Sequence, residues 1–209
     1  MKFDILAVMS SLAKKRPIFH SEADFQFALA WELKAYNTNT GIRLEYNAKI
    51  DEIQTYIDIW ITDQRHRVAV ELKYKQAATS VEFDGEEFTL SNHLAPDTNC
   101  FLVVHDIYRV ERLVNSGRIT EGYCIFVTND KNYWNRPSRE TNYDTFRVNE
   151  GAVLSGERMW RNPEKKTAQK YTNQFGNISL SGNYNMKWRD YHNFGIRNGE
   201  FRYLVVEIP

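Results

Sequence analysis

The amino-acid sequence predicts an α/β fold: a helix, a three-stranded antiparallel meander, a second helix and a further strand, followed by a β-rich C-terminal extension. Three observations carry this prediction. Residues 56–61 and 67–74 are β-branched and aromatic runs with apolar alternation, set on either side of the polar link Asp63-Gln64-Arg65-His66. That is the pattern of two strands and a tight turn. Apolar residues recur at helical spacing both before and after this hairpin. Residues 122–128, GYCIFVT, are continuously apolar, as a strand covered on both faces must be.

Each element follows in order. From residue 3 to about residue 15, Ile5, Leu6, Met9, Leu12 and Ala13 stand at helical spacing. Lys14, Lys15 and Arg16 followed by Pro17 stop that helix, because basic side chains suit its last turn and proline cannot continue it. Ser21 and Asp24 then read as a capping box, with Ser21 as N-cap. The stripe of this second helix runs Phe25, Ala28, Leu29, Leu33 and Tyr36. Projected backward it begins at Glu22, which therefore points toward whatever the helix packs on, while Asp24 points roughly the other way. Glu22 is also a first-turn acid of the kind the helix dipole favours.

After a turn at residues 37–41, residues 42–46 form the strand that precedes the hairpin. Residues 76–99 are acidic and then polar, an excursion from the sheet. Asp97 or Thr98 opens the next helix, which runs to about Asn115 on the stripe Val103, Ile107, Val110 and Val114, with Asp106, Arg109 and Arg112 off it. Asn129 and Asp130 break the fourth strand. From Tyr133 on, apolar runs are short (146–148, 178–180, 184–188) until the terminal run 201–208. The aromatics of this part need burial, so residues 136–209 are read as an extension packed on a core of residues 1–135.

Register sharpens the hairpin. Symmetry about Gln64 and Arg65 puts Ile57, Ile59, Ile61, Val68, Val70 and Leu72 on a core face and Asp58, Glu71 and Lys73 on the other, with Asp58 directly across from Glu71. Opposed residues hold their Cβ atoms roughly 4.5–5.5 Å apart, where like charges destabilise the pair. A hard divalent cation turns that cost into a binding site, and Mg²⁺ takes one or two carboxylates together with phosphate oxygens. Lys73 adds a positive donor on the same face. Two acids, a lysine and a metal ion are the parts of phosphodiester hydrolysis.

Bulk properties narrow the alternatives. The 209 residues suit one domain, or one domain with a substantial appendage. Formal net charge is zero, so any nucleic-acid binding must come from a local patch. Cys100 and Cys124 lack metal-ligand spacing and are read as buried free thiols of a reducing compartment. The short apolar run after Asp4 has no small-residue cleavage site behind it, and no stretch reaches membrane-spanning length, which points to a cytoplasmic protein without membrane contact. No GxSxG, GxGxxG or GxxxxGK[ST] pattern occurs, nor a cysteine with a nearby histidine.

The order of elements, with Glu22 in SEADFQFAL, Asp58 in YIDIW, and Glu71 and Lys73 in VAVELKYK, resembles the PD-(D/E)XK, or restriction endonuclease-like, nuclease superfamily. The resemblance covers about residues 18–130, and the phrases GYCIFVTND, TFRVNEG and FRYLVVEI are similar to a group of uncharacterised prokaryotic proteins with this core. ExK alone is a weak signal, and the chain holds it three times. Glu32-Leu33-Lys34 lies in a helix, where residues two apart do not share a face, and Glu164-Lys165-Lys166 lies in a polar loop. Only Glu71-Leu72-Lys73 stands on a strand, where i and i+2 do share one. A salt-bridged structural hairpin is the bland alternative.

The resemblance implies a Mg²⁺-dependent nuclease, with Mn²⁺ able to substitute, acting on DNA rather than RNA through a metal-activated water. Asp58 and Glu71 would ligate the metal with the backbone carbonyl of Leu72, Glu22 would join directly or through water, and Lys73 would position or deprotonate the water or stabilise phosphate charge. Ile57 stands where the name motif has proline. A homodimer or a partner subunit would supply specificity. The competing class is a non-catalytic module that keeps the fold and binds nucleic acid or a protein.

Further candidates are weaker. Arg109, Arg112, Lys131, Arg136 and Arg139 are candidate phosphate contacts. Tyr133 and Trp134 either stack on an unpaired base or pack internally. Arg158, Arg161, Lys165, Lys166 and Lys170 are a solvated face or a backbone-binding strip. His20, His93 and His192 lie in loops or termini.

Overall fold

A six-stranded mixed sheet runs through the middle of the molecule, its strands in the order Gly41–Ile50, Ile53–Thr62, Arg67–Lys75, Glu121–Thr128, Glu200–Ile208 and Trp188–Asn193. The structure, a computed structural model, describes residues 4–50, 53–93 and 95–209. Its elements are α1 (Ile5–Lys15), α2 (Glu22–Tyr36), β1 (Gly41–Ile50), β2 (Ile53–Thr62), β3 (Arg67–Lys75), β4 (Thr79–Phe83), β5 (Glu86–Leu90), α3 (Pro96–Asn115), β6 (Glu121–Thr128), β7 (Val153–Arg158), α4 (Lys166–Phe175), β8 (Ile178–Asn185), β9 (Trp188–Asn193) and β10 (Glu200–Ile208). Residue 3, the expected start of the first helix, lies outside the described residues.

The mixed α/β architecture agrees with the sequence reading, and so do the first elements. Strands β1, β2 and β3 form an antiparallel meander, and β3 pairs with β6 in parallel across the intervening α3. Ser21 Oγ accepts the Asp24 amide as the N-cap of α2. The turn after β2 is closed by Asp63, whose carboxylate accepts the amides of Arg65 and His66. The C-terminal segment supplies β10, which pairs antiparallel with β6, and β9 beyond it.

Both faces of the sheet are covered. On one, α1 and α2 bury Met9, Phe25, Leu29 and Leu33 against Ile59, Val70, Leu72, Tyr74 and Phe201. On the other, α3 and the β7–β8 ladder enclose Val103, Ile107, Val110, Leu154 and Leu180 with Ala69, Cys124, Phe126 and Leu204. Strand β6 is buried along its whole length.

Several expectations are corrected. Ile57 joins the α3-side core, whereas Ile59 and Ile61 join the α1–α2 side. The alternation breaks at Asp58, opposite a left-handed residue of β1, Glu45 (φ 48°), which stands between the pairs Leu44–Ile59 and Tyr46–Ile57. Helix α3 opens at Pro96 rather than at Asp97 or Thr98, since proline lacks only an amide that the first turn leaves unpaired anyway. Tyr36, at the end of the α2 stripe, is exposed. Residues 184–188 are not one strand: β8 ends at Asn185 and β9 begins at Trp188. The polar run around Lys166 and Lys170 holds α4, whose Ala168, Tyr171 and Phe175 turn toward the α3-side core while the lysines face out.

One buried carboxylate ties α3 to β8. Glu111 accepts the Ser181 amide at 2.9 Å, the Gly182 amide at 2.7 Å and the Tyr184 hydroxyl at 2.7 Å. Glu111→Ala strands these donors and is expected to cost about 3 kcal/mol, lowering Tm by roughly 6–12 °C in a thermal melt.

His105, on the same helix, packs its ring 4.5 Å from Phe175 of α4 and 6.2 Å from Phe101. Burial holds its pKa down at about 4, with Asp106 opposing and Arg109 and Lys73 assisting. The unfolded chain takes a proton near pH 6.5 that the folded chain refuses until about pH 4, so stability is full above that window and lost as pH falls through it. The loss is about 3 kcal/mol by pH 4. His105→Phe is expected to flatten urea stability measured between pH 6.5 and 4.5.

Candidate active site

The site lies where β2 and β3 part. Their ladder runs from Thr62–Arg67 to Ile59–Val70, in the register that sets Asp58 next across from Glu71. Beyond that point two carboxylates take up the amides of β3. Asp58 Oδ2 accepts the Leu72 amide at 2.6 Å, and Glu22 Oε2, from the first turn of α2, accepts the Tyr74 amide at 2.8 Å. Glu22 also pairs with Lys75 Nζ at 3.0 Å. Its expected inward aim is correct, while Asp24 turns away to Arg16 at 2.8 Å.

Glu71 and Lys73 face α3. Arg109 Nη2 lies 2.8 Å from Glu71 Oε1 and also donates to the Tyr56 carbonyl of β2, so its guanidinium bridges the parted strands. Lys73 Nζ lies 2.6 Å from Asp106 Oδ2 and donates to the Leu72 carbonyl at 3.0 Å. Gln26, one helical turn after Glu22, donates to the Asp58 carbonyl at 2.8 Å and to Glu45 Oε1 at 2.7 Å.

Asp106 and Arg109 were expected off the apolar stripe of α3. They are instead its contribution to the site, with side chains only 6% and 18% exposed. The signal was present in the spacing: Asp106 stands three residues after Val103 and four before Val110, on the stripe itself. Gln26, four residues after Glu22 on one helix face, was missed in the same way.

Electrostatics set these acids apart. Burial pushes the Asp58 carboxyl up to about 6; Lys73 and the Leu72 amide oppose the shift, while Asp106 and Glu22 add to it. Burial, then Asp106, pushes Glu71 well above the ordinary carboxylate range against the pull of Arg109. Burial works against the charge of Lys73, but Asp106, Glu22 and Glu71 outweigh it and raise its pKa, so the ammonium keeps its proton. The close ion pairs do not supply good hydrogen bonds. Glu71 Oε1, Asp106 Oδ2 and Arg109 Nε are all buried without a hydrogen-bond partner of adequate geometry. A void of about 10 Å³ between α3 and the sheet, lined by Glu71, Lys73 and Asp106, has room for about one water molecule.

These residues fit a hard cation in part. Burial raises the pKa of both Asp58 and Glu71, Glu71 Oε1 makes no hydrogen bond although Arg109 Nη2 stands 2.8 Å from it, and the Leu72 carbonyl, one residue after Glu71, accepts from Lys73. Glu22 is committed to Tyr74 and Lys75. Among the described residues, no group of three or more His, Cys, Asp or Glu side chains is arranged to hold a metal ion. The set that fits is therefore two carboxylates and a carbonyl, the sparse donor set with which Mg²⁺ keeps several waters.

The remaining candidates are dispersed. Tyr133 and Trp134 are core residues, not base-stacking platforms: Tyr133 accepts from Asn99 at 2.7 Å, and Trp134 packs on Trp188. Lys131 lies 3.5 Å from Glu200 on the surface. His20 pairs with Glu86 at 2.9 Å and stacks on Phe88. His93 is exposed, and the His192 ring packs on Phe194. Cys100 and Cys124 are buried free thiols.

Compared with known proteins, the chain matches no family model, no curated protein and no solved structure. Among the described residues no helix is long and apolar enough to cross a membrane.

Proposed function

We propose that the chain is a metal-dependent nuclease of the PD-(D/E)XK kind, hydrolysing phosphodiester bonds of nucleic acid, DNA rather than RNA, in the cytoplasm. The observation that carries the reading is the gathering of Asp58, Glu71 and Lys73 at the parting of β2 and β3, with Glu71 Oε1 buried beside Arg109 but in no hydrogen bond. Asp58, Glu71 and the Leu72 carbonyl would hold Mg²⁺ or Mn²⁺, which when bound supplies Lewis-acid activation of water and phosphate. Lys73, which keeps its proton, would donate to a phosphate oxygen rather than act as a base. Asp106 holds the Lys73 ammonium in place. Arg109 balances Glu71 while the acid is otherwise unpartnered, and would yield that oxygen when the acid is claimed. A divalent-metal cleavage assay on single-stranded, duplex and branched DNA and on RNA tests the reading.

The same ion pairs favour a second reading. Glu71 and Lys73 each already have an internal partner, as they would in a non-catalytic module that keeps this fold to bind nucleic acid or a protein. Calorimetric titration with Mn²⁺ in the presence of an oligonucleotide separates the two, since the module requires no metal.

A further inference from the structure

A cleft of about 470 Å³ lies between the segment that follows β6 and strand β7, and shares no lining residue with the acids described above. Four arginines line it: Arg136, Arg139, Arg147 and Arg158. Of its two acids, Asp144 is bound by Arg147 at 2.8 Å, and Glu140 is paired with Arg161. Arg158 is fixed by neutral acceptors only, the carbonyls of Thr145 and Ser155, and its Nε is buried with no hydrogen-bond partner. Arg136 and Arg139 are exposed and make no ion pair among the described residues. Three guanidinium charges, those of Arg136, Arg139 and Arg158, thus stand uncompensated around one concavity in a chain whose formal net charge is zero.

We propose that this cleft binds phosphate groups of a nucleic-acid strand. Guanidinium forks match phosphate oxygens in pairs, and the lining offers arginine without lysine. The volume falls in the range that holds a small molecule or one nucleotide unit, so the same oxyanion chemistry is open to a free mononucleotide. The proposal rests on the nuclease reading in that the strand held here is the one that reaches Asp58 and Glu71. The cleft itself needs no metal.

The test is fluorescence anisotropy of a labelled single-stranded oligonucleotide in EDTA, over a salt series, with wild type and the double variant Arg136→Gln/Arg139→Gln. Arg136 and Arg139 are exposed, so their replacement leaves the fold intact. The double variant is expected to bind at least tenfold more weakly, and its slope of log affinity against log salt to fall by about 1.4, the release expected when two phosphate contacts to a single strand are lost. Asp58→Asn serves the separate cleavage assay and not the binding comparison. Competition with AMP distinguishes the sources. Displacement at micromolar AMP that the double variant loses assigns the cleft to free nucleotides and overturns the strand proposal, whereas displacement only at far higher AMP supports it. Equal binding and equal slope in the double variant overturn it, as does a wild type that binds no oligonucleotide. Cleavage in Mg²⁺ is scored apart from this. Arginine-dependent binding without cleavage in any protein would sink the nuclease reading alone, and Asp58-dependent cleavage with arginine-independent binding would sink the cleft alone.

Discussion

Asp58→Asn loses metal-dependent cleavage and gains stability; that paired outcome is the first expected result. The amide keeps an oxygen to accept the Leu72 N–H, so the local backbone is preserved. It removes a charge that the folded chain holds at a cost, because burial lifts the carboxyl pKa to about 6 from an ordinary 3.8. Between those values the folded state binds the proton that the unfolded state releases. The contribution of Asp58 is therefore full below pH 3.8 and lost as pH rises through about 6. At pH 7 without metal, the variant is expected to be more stable by up to about 3 kcal/mol. Loss of a partner that merely orients a metal ligand costs 10–100-fold, so loss of a ligand is expected to cut cleavage at least about a hundredfold. Labelled-oligonucleotide cleavage in Mg²⁺ and urea unfolding in EDTA check the two halves. A residue present only for structure would show the opposite sign in unfolding, and full cleavage by the variant would remove Asp58 from the mechanism.

Arg109→Met is expected to destabilise the protein by about 3–5 kcal/mol, because it leaves Glu71, with a side chain 2% exposed, as a buried acid without its cation. The double variant Arg109→Met/Glu71→Met is expected to recover most of that loss while cleaving nothing, since two apolar side chains replace a pair whose desolvation roughly offsets its attraction. Urea unfolding of wild type, single and double variants completes the cycle. In the single variant, Mn²⁺ is expected to raise Tm more than in wild type, because the acid has lost its internal competitor. A single variant within about 1 kcal/mol of wild type would mean that Arg109 does not hold Glu71.

Along the chain, the features that could be read were those whose signal is local. The capping of α2 by Ser21, the turn at Asp63, the register of β2 against β3 and the continuous burial of β6 each follow from neighbouring residues and strand or helix period. So does the inward aim of Glu22. The helix α4 escaped although Ala168, Tyr171 and Phe175 stand at helical spacing and pack toward Phe101, because polar residues surround that short stripe.

The sequence by itself determined that Glu71 and Lys73 would share a face of β3, since strand residues two apart do, and that the β2–β3 register would bring Asp58 to the same end of the hairpin. Only the tertiary structure decided what they would touch. Helix α3 reaches the site from residues far along the chain, and its packing on the sheet brings Arg109 to Glu71 and Asp106 to Lys73. The departure of β2 from β3 after Ile59 and Val70 hands the Leu72 amide to Asp58 and the Tyr74 amide to Glu22. Glu22 therefore takes up the Tyr74 amide while its charge still acts on Asp58 and Lys73. The physical reason is that period and capping are properties of a few consecutive residues, whereas the partner of a buried charge is chosen by whichever distant element covers it.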